Sequence, residues 1–313
     1  MKKPTKKTLR PKPLFARTSR FTTFDYWLQL AEELYETHEI ALGQIATLAR
    51  DEILYLLLRT LNLPLDSDST VLERTLSKTD IAAVKTVLKR RIADRVPAAY
   101  LTHEAFLGEH RFYVDERVII PRSYFLEIIP TQLDSWLPDP KKVRAVADVC
   151  TGSGCLAILL ADHFAKAKVD AVDLSPDALE VAKINVAEHK LTGRVVLFQS
   201  DVFDAVPKAT YDIILCNPPY EPSAHVDAMA VEFHREPRMS LDGGKDGLDI
   251  IRKLLRQSRE RLAPHGIVLI EVGGLREAMD HEFAALEPHW LYTTDGSDCV
   301  CVIHAKRLKT AKL

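Results

Sequence analysis

A doubly wound, Rossmann-like α/β sheet with an antiparallel last strand, preceded by a small all-helical domain, is the fold this sequence predicts. Three observations predict it. Short apolar runs near 145–150, 168–173, 194–199 and 211–216 alternate with helix-spaced stretches near 154–165 and 177–190, the order of a parallel sheet with crossover helices. Before residue 100, apolar positions instead recur at helical spacing, as in Tyr26, Leu28, Leu30, Ala31 and Leu34, and again in Ile53, Leu54, Leu57, Leu58 and Leu61. The chain closes with a helix near 247–263, a strand at 267–272, a helix near 275–286 and strands near 289–294 and 299–305. Asp295-Gly296 joins the last two as a hairpin turn.

Four segments follow. Residues 1–20 carry Lys2, Lys3, Lys6, Lys7, Arg10, Lys12, Arg17 and Arg20 with no acid and three prolines, so a disordered basic tail is expected. Residues 21–100 form about four helices, with Thr79-Asp80 able to cap a helix over 81–92 and Pro97 ending the region. Residues 101–120 read as a β-hairpin connector turning at Gly108-Glu-His110, and residues 121–313 as the sheet domain.

Of the 313 residues, 47% are hydrophobic and 27% charged, an ordinary globular composition, and a net charge of −2 gives no general affinity for nucleic acid. No apolar run reaches the ~18 residues of a membrane span, and the N-terminus lacks a signal-peptide core, so a cytoplasmic protein is expected. Five cysteines without framework spacing read as free, mostly buried thiols. Cys299 and Cys301 lack a second pair and the eleven histidines lack ligand spacing, so no metal is expected.

The chemistry sits at strand ends. Asp148-Val-Cys-Thr-Gly-Ser-Gly-Cys155 joins the first strand to a helix, a glycine turn that lets a ligand approach unpaired backbone N–H groups. Asp173 ends the second strand, nineteen residues past Gly154, where a carboxylate can accept from both ribose hydroxyls. Asp201 ends the third, placed for an adenine amino group. An adenosine-bearing cofactor follows, and Gly152-x-Gly154-x-x-Ala157 leaves NAD and S-adenosylmethionine both open. Asn217-Pro-Pro-Tyr220 follows the fourth strand. Its Asn Oδ1, Pro218 carbonyl and Tyr220 ring can hold the two hydrogens and the flat face of an amide or amino nitrogen, while the prolines remove competing donors.

Together Asp148-x-Cys-Thr-Gly-Ser-Gly154, Asp173-Leu-Ser-Pro-Asp-Ala-Leu179 and Asn217-Pro-Pro-Tyr220 resemble the class I S-adenosylmethionine-dependent methyltransferases of the HemK/PrmB family, which modify protein glutamines. The resemblance extends to Ile120-Pro-Arg-Ser123, Glu236-Pro237, Gly243-Gly-Lys-Asp-Gly-Leu248 and Glu271-Val-Gly273, and so covers roughly residues 95–305. The wording is most similar to the branch that methylates protein three of the large ribosomal subunit, with the release-factor branch as the alternative.

The resemblance implies S-adenosylmethionine held by Asp148, Cys150, Thr151, Gly152, Ser153, Gly154, Asp173, Leu174, Asp201, Val202, Arg122 and Asn217. It implies Asn217, Pro218, Pro219 and Tyr220 as the catalytic corner, and the helical domain as the substrate dock. The basic tail then reads as a tether to ribosomal RNA or an assembly precursor. Glu221 stands where the family usually has a hydrophobic residue. Residues 222–246, longer than an ordinary connection, read as a lid or binding segment. Three rivals are an adenine-amino DNA methyltransferase, a non-catalytic S-adenosylmethionine-binding module and an NAD oxidoreductase. The first lacks a basic groove, the second gives no reason for the acceptor-lined corner, and the third does not account for the antiparallel end.

Overall fold

The computed structural model describes residues 14–15 and 22–311. Apart from Leu14 and Phe15, the expected basic tail of residues 1–20 lies outside the described residues. Those two depart from the expectation of a segment with nothing to bury. Both pack on the helical core, Phe15 with its ring 5.9 Å from that of Trp27.

The chain divides into two compact units, one ending at Thr102 and the other starting at His103. The first contains α1 (Phe24–Thr37), α2 (Ala49–Thr60), α3 (Lys78–Ile92) and the short α4 (Ala98–Thr102). Its core unites Phe24, Trp27 and Leu28 with Ile53, Leu56, Leu57, Val84 and Leu88, the apolar faces that helical spacing marks out. The cap of α3 is one turn earlier than expected. Ser77 accepts from the Asp80 N–H at 3.1 Å and Asp80 accepts from the Ser77 N–H at 3.0 Å, so Asp80 closes a capping box rather than forming the cap with Thr79. A charged pair lies inside this core. Arg91 Nε donates to Glu52 Oε1 at 2.6 Å, Tyr35 donates to the same oxygen at 3.0 Å, and Arg91 Nη2 reaches the Ala41 carbonyl at 2.9 Å.

The second unit opens with the hairpin β1 (Ala105–Leu107) and β2 (His110–Phe112), turning at Gly108 with φ +62°. After α5 (Phe125–Thr131) come β3 (Ala145–Val149), α6 (Cys155–His163), β4 (Lys168–Asp173), α7 (Pro176–Glu188), β5 (Val195–Gln199) and β6 (Tyr211–Cys216). Then follow α8 (Ser223–Ala228), α9 (Asp249–Arg261), β7 (Leu262–Glu271), α10 (Arg276–Glu282), β8 (His289–Leu291), β9 (Val300–His304) and α11 (Ala305–Thr310). The seven-stranded sheet has the order β5-β4-β3-β6-β7-β9-β8, with β9 antiparallel to both neighbours. Alternate residues of its strands feed two apolar layers: Ile213 and Leu215 enter one, Ile214 and Cys216 the other.

Strand β7 starts five residues before the expected 267, because Leu262 pairs with Tyr211 ahead of a bulge. Pro264 and Gly266 in that stretch disguise it as a loop. The short α5, with Pro130 inside it, and α11 are further elements that the apolar pattern did not mark. From β3 the chain runs outward to β4 and β5 and then crosses back to β6, so the order reverses between β3 and β6. That reversal opens a crevice at the carboxyl ends of these two strands.

Removing one partner of the buried ion pair strands the other. Glu52→Ala is expected to destabilise the helical unit by about 3–5 kcal/mol, read from urea unfolding or amide exchange, and a loss under about 1 kcal/mol would show the pair to be solvated.

Candidate active site

The crevice holds a cavity of about 690 Å³. Into its wall come Cys150, Thr151, Gly152, Ser153, Asp173, Leu174, Asp201, Val202, Arg122 and the whole corner Asn217, Pro218, Pro219 and Tyr220. Asp148 and Gly154, also predicted, are not in the wall. Phe112 is core, its ring 5.1 Å from that of His189.

The glycine turn is shaped by its neighbours. The Gly152 N–H donates to Asp173 Oδ2 at 2.8 Å and the Ser175 N–H to Asp173 Oδ1 at 2.9 Å, so each carboxylate oxygen keeps acceptor capacity beside the cavity. Burial raises the Asp173 carboxyl above the usual range, against those backbone bonds. Gly154, at φ +80°, starts α6 so close to α7 that a Cβ would stand 3.2 Å from that of Ala182. Asp148 is fully buried and accepts from Thr151 Oγ1 at 2.5 Å, while its Oδ1 has no hydrogen bond of normal geometry among the described residues. Burial pushes its carboxyl up to about 7. Val202 has φ +54°, a conformation costly for a β-branched residue, at the point where the chain turns along the cavity.

Two predicted ligands are engaged within the protein. Asp201 pairs with Lys253 at 2.7 Å, a cation it shares with Asp204. Arg122 binds Glu236 through two bonds of 2.6 and 2.7 Å, and Glu236 also accepts from the Ile120 N–H at 3.1 Å. Arg122 therefore ties the segment before α5 to residues 222–246 beside the cavity.

The Asn217 corner is built by close backbone approach. A Cβ on Gly243 would meet the Pro219 carbonyl at 2.6 Å, one on Gly247 the Tyr220 carbonyl at 2.2 Å, and one on Gly273 the Tyr220 ring at 2.4 Å. These glycines let residues 222–246 fold back along the corner, where the Glu221 N–H donates to Leu241 at 2.9 Å and the Gly243 N–H to Glu221 at 2.8 Å. The long connection thus carries α8 and a β-bridge from Glu221 to Asp242. Burial, ahead of the nearby Glu271 charge, raises the Tyr220 hydroxyl so that it stays neutral. Glu221 lines the cavity and holds His225 Nδ1 at 2.5 Å. Behind the corner, Glu271 accepts from Ser123 Oγ at 2.6 Å and from the Tyr124 N–H at 3.1 Å, and burial pushes it up to about 7.

Sequence reasoning missed Asn185. Its carboxamide donates to the Ser153 carbonyl at 2.8 Å and accepts from the Tyr113 N–H at 2.7 Å, tying the glycine turn to the segment after the hairpin. Its signal was a polar residue on the apolar face formed by Ala178, Val181 and Ala182. Among the described residues, no three His, Cys, Asp or Glu side chains form a metal-ligating group, and no helix is long and apolar enough to cross a membrane.

A family model described as the methyltransferase small domain matches residues 131–244. Curated relatives match far more. Ribosomal protein uL3 glutamine methyltransferase of Bordetella pertussis is 44% identical over 87% of this chain and 91% of its own. The enzymes of that name from Burkholderia pseudomallei and Bradyrhizobium diazoefficiens are 42% identical over 92% and 96%, and 37% identical over 98% and 100%, of the two chains respectively.

Two predictions follow from the geometry. Asp148 and Glu271 hold protons up to about pH 7 in the folded state, whereas the unfolded chain releases them near pH 4. Stability should therefore fall as pH rises from about 4 to 7, and Asp148→Asn should flatten that slope in a series of melting curves; an unchanged slope would count against a raised Asp148. Gly273→Ala, which combines φ +51° with the Tyr220 clash, should lose about 1–3 kcal/mol of stability in the same assay, and a neutral result would mean that the ring is free to move.

Proposed function

We propose, for a chain that belongs to the family of ribosomal protein uL3 glutamine methyltransferases, that it transfers a methyl group from S-adenosylmethionine to a glutamine side-chain nitrogen of uL3. One observation carries this reading. The acceptor-rich corner at Asn217 and the glycine turn after β3 share a single cavity at the sheet's switch point.

The residues present fit the cofactor. Asp173 retains acceptor capacity for ribose hydroxyls beside the cavity, and Leu174 offers an apolar surface that is half exposed. Asp201, held by Lys253, is the side chain suited to an adenine amino group, and the strained Val202 brings backbone to the same edge. When bound, S-adenosylmethionine supplies a methyl group already activated for displacement by its sulfonium charge.

The protein's part is alignment and charge handling. Asn217 Oδ1 and the Pro218 carbonyl accept the two hydrogens of the glutamine carboxamide, and the Tyr220 ring, braced on Gly273, holds its plane. As the nitrogen bonds to the methyl carbon, the carbon–sulfur bond would break to leave a neutral thioether; the nitrogen gains positive character, its hydrogens become more acidic, and one of them is released to solvent. The two acceptors then bind it more strongly than in the ground state, which is the differential interaction that catalysis requires. Fixing the geometry alone accounts for about 7–11 kcal/mol of such a barrier. The basic segment 1–20 adds electrostatic contact with ribosomal RNA or an assembly precursor, and the work is cytoplasmic.

Tritiated donor offered in parallel to purified uL3, release factors and unmethylated DNA tests the assignment. Label on a uL3 glutamine, placed by mass spectrometry, is the expected outcome, and label on release factor or DNA alone would overturn it. Asn217→Ala should lower the rate by about 10²-fold with donor affinity retained, because one positioned acceptor is worth ~3 kcal/mol in such a transition state. Asp173→Ala should instead weaken donor binding in calorimetry. Truncation before Pro13, which removes six of the eight basic residues and spares Leu14 and Phe15, should reduce association with ribosome precursors at low salt without reducing activity on free uL3.

A further inference from the structure

Glu271 is 2% exposed, ends β7 and stands outside the cavity wall. Strands β6 and β7 run in parallel register with Cys216 opposite Ile270, so the next residues along each, Asn217 and Glu271, lie side by side where the sheet meets the cavity. Ser123 Oγ and the Tyr124 N–H donate to Oε2, and the Asn217 carboxamide adds hydrogen-bonding support to the ionised form. Arg122 contributes positive charge from the preceding segment. Tyr220 and Cys299, both raised by burial, face the carboxylate as neutral groups.

An ionised carboxylate can only accept hydrogen bonds. Its neighbour must therefore present the amide NH₂ to it, which turns the amide oxygen the other way. We propose that Glu271 is a positioning residue that orients the Asn217 carboxamide with its oxygen toward the acceptor, and that protonation of Glu271 releases this orientation. A neutral carboxyl carries an O–H donor, so Asn217 can rotate, give its oxygen to Glu271 and meet the incoming amide with NH₂ against NH₂. The proposal rests on the glutamine reading of the corner. The desolvation that raises Glu271 to about 7 brings the change into an accessible pH range.

The test measures methyl transfer to purified uL3 between pH 5.5 and 9, resolving kcat from KM, with donor affinity from calorimetry. For the wild-type protein, kcat is expected to rise with pH around a midpoint of about 7. Glu271→Gln should lower kcat about 10–100-fold, leave KM and donor affinity little changed and abolish the rise. Ser123→Ala keeps the carboxylate but removes a donor to its ionised form, so it should move the midpoint upward, and it carries the test if Glu271→Gln does not fold. Wild-type kcat in Glu271→Gln, or an unmoved midpoint in Ser123→Ala, overturns the proposal. No transfer to uL3 by the wild-type protein overturns the acceptor assignment itself, and the orientation argument with it.

Discussion

The parallel pairing of β3 with β6 is the constraint on which the site depends. It sets Val149 opposite Cys216, so the loops that begin at residues 150 and 217, far apart in sequence, leave the sheet side by side. One loop brings Cys150 to Ser153 to the cavity, with the Thr151, Gly152 and Gly154 N–H groups bonded to Val172, Asp173 and Thr151 rather than left unpaired as the glycine turn suggested, and the other brings Asn217 to Tyr220. Ladder hydrogen bonds between buried strands fix that juxtaposition, and a slip of one residue would turn Ile214 and Cys216 out of one apolar layer and into the other.

Around that pairing, two kinds of contact hold the loops. Backbone approaches that only glycine permits lay Gly243, Gly247 and Gly273 against Pro219 and Tyr220. Buried polar side chains do the rest: Asp173 grips the glycine turn, Asn185 ties the turn to the Tyr113 segment, and Glu236 draws the 222–246 connection onto Arg122. Each of these groups is bonded on more than one side, as a polar group removed from water must be if it is to rigidify rather than destabilise.

Much of this was legible in the sequence, because strand runs and helix spacing are local signals. The alternation of runs marked β3 to β6, the acids at strand ends marked Asp173 and Asp201, and Asn217-Pro-Pro-Tyr220 marked the corner. What was hidden depends on distant partners. Nothing near Arg122 announces that its guanidinium meets Glu236, more than a hundred residues on, rather than a ligand. The early start of β7 lies beneath a proline and a glycine, and the Ser77 cap sits just outside the apolar pattern that delimits α3. Asn185 is plain only once its helix face is known to be buried.

The bond between Arg122 and Glu236 has a consequence for the timing of encounter. Glu236 is 3% exposed and is held by two guanidinium bonds and a backbone N–H, so the connection after the Asn217 corner is fastened to the Ile120–Arg122 segment by the fold's own contacts before any partner arrives. Little loop entropy is left to be lost on docking.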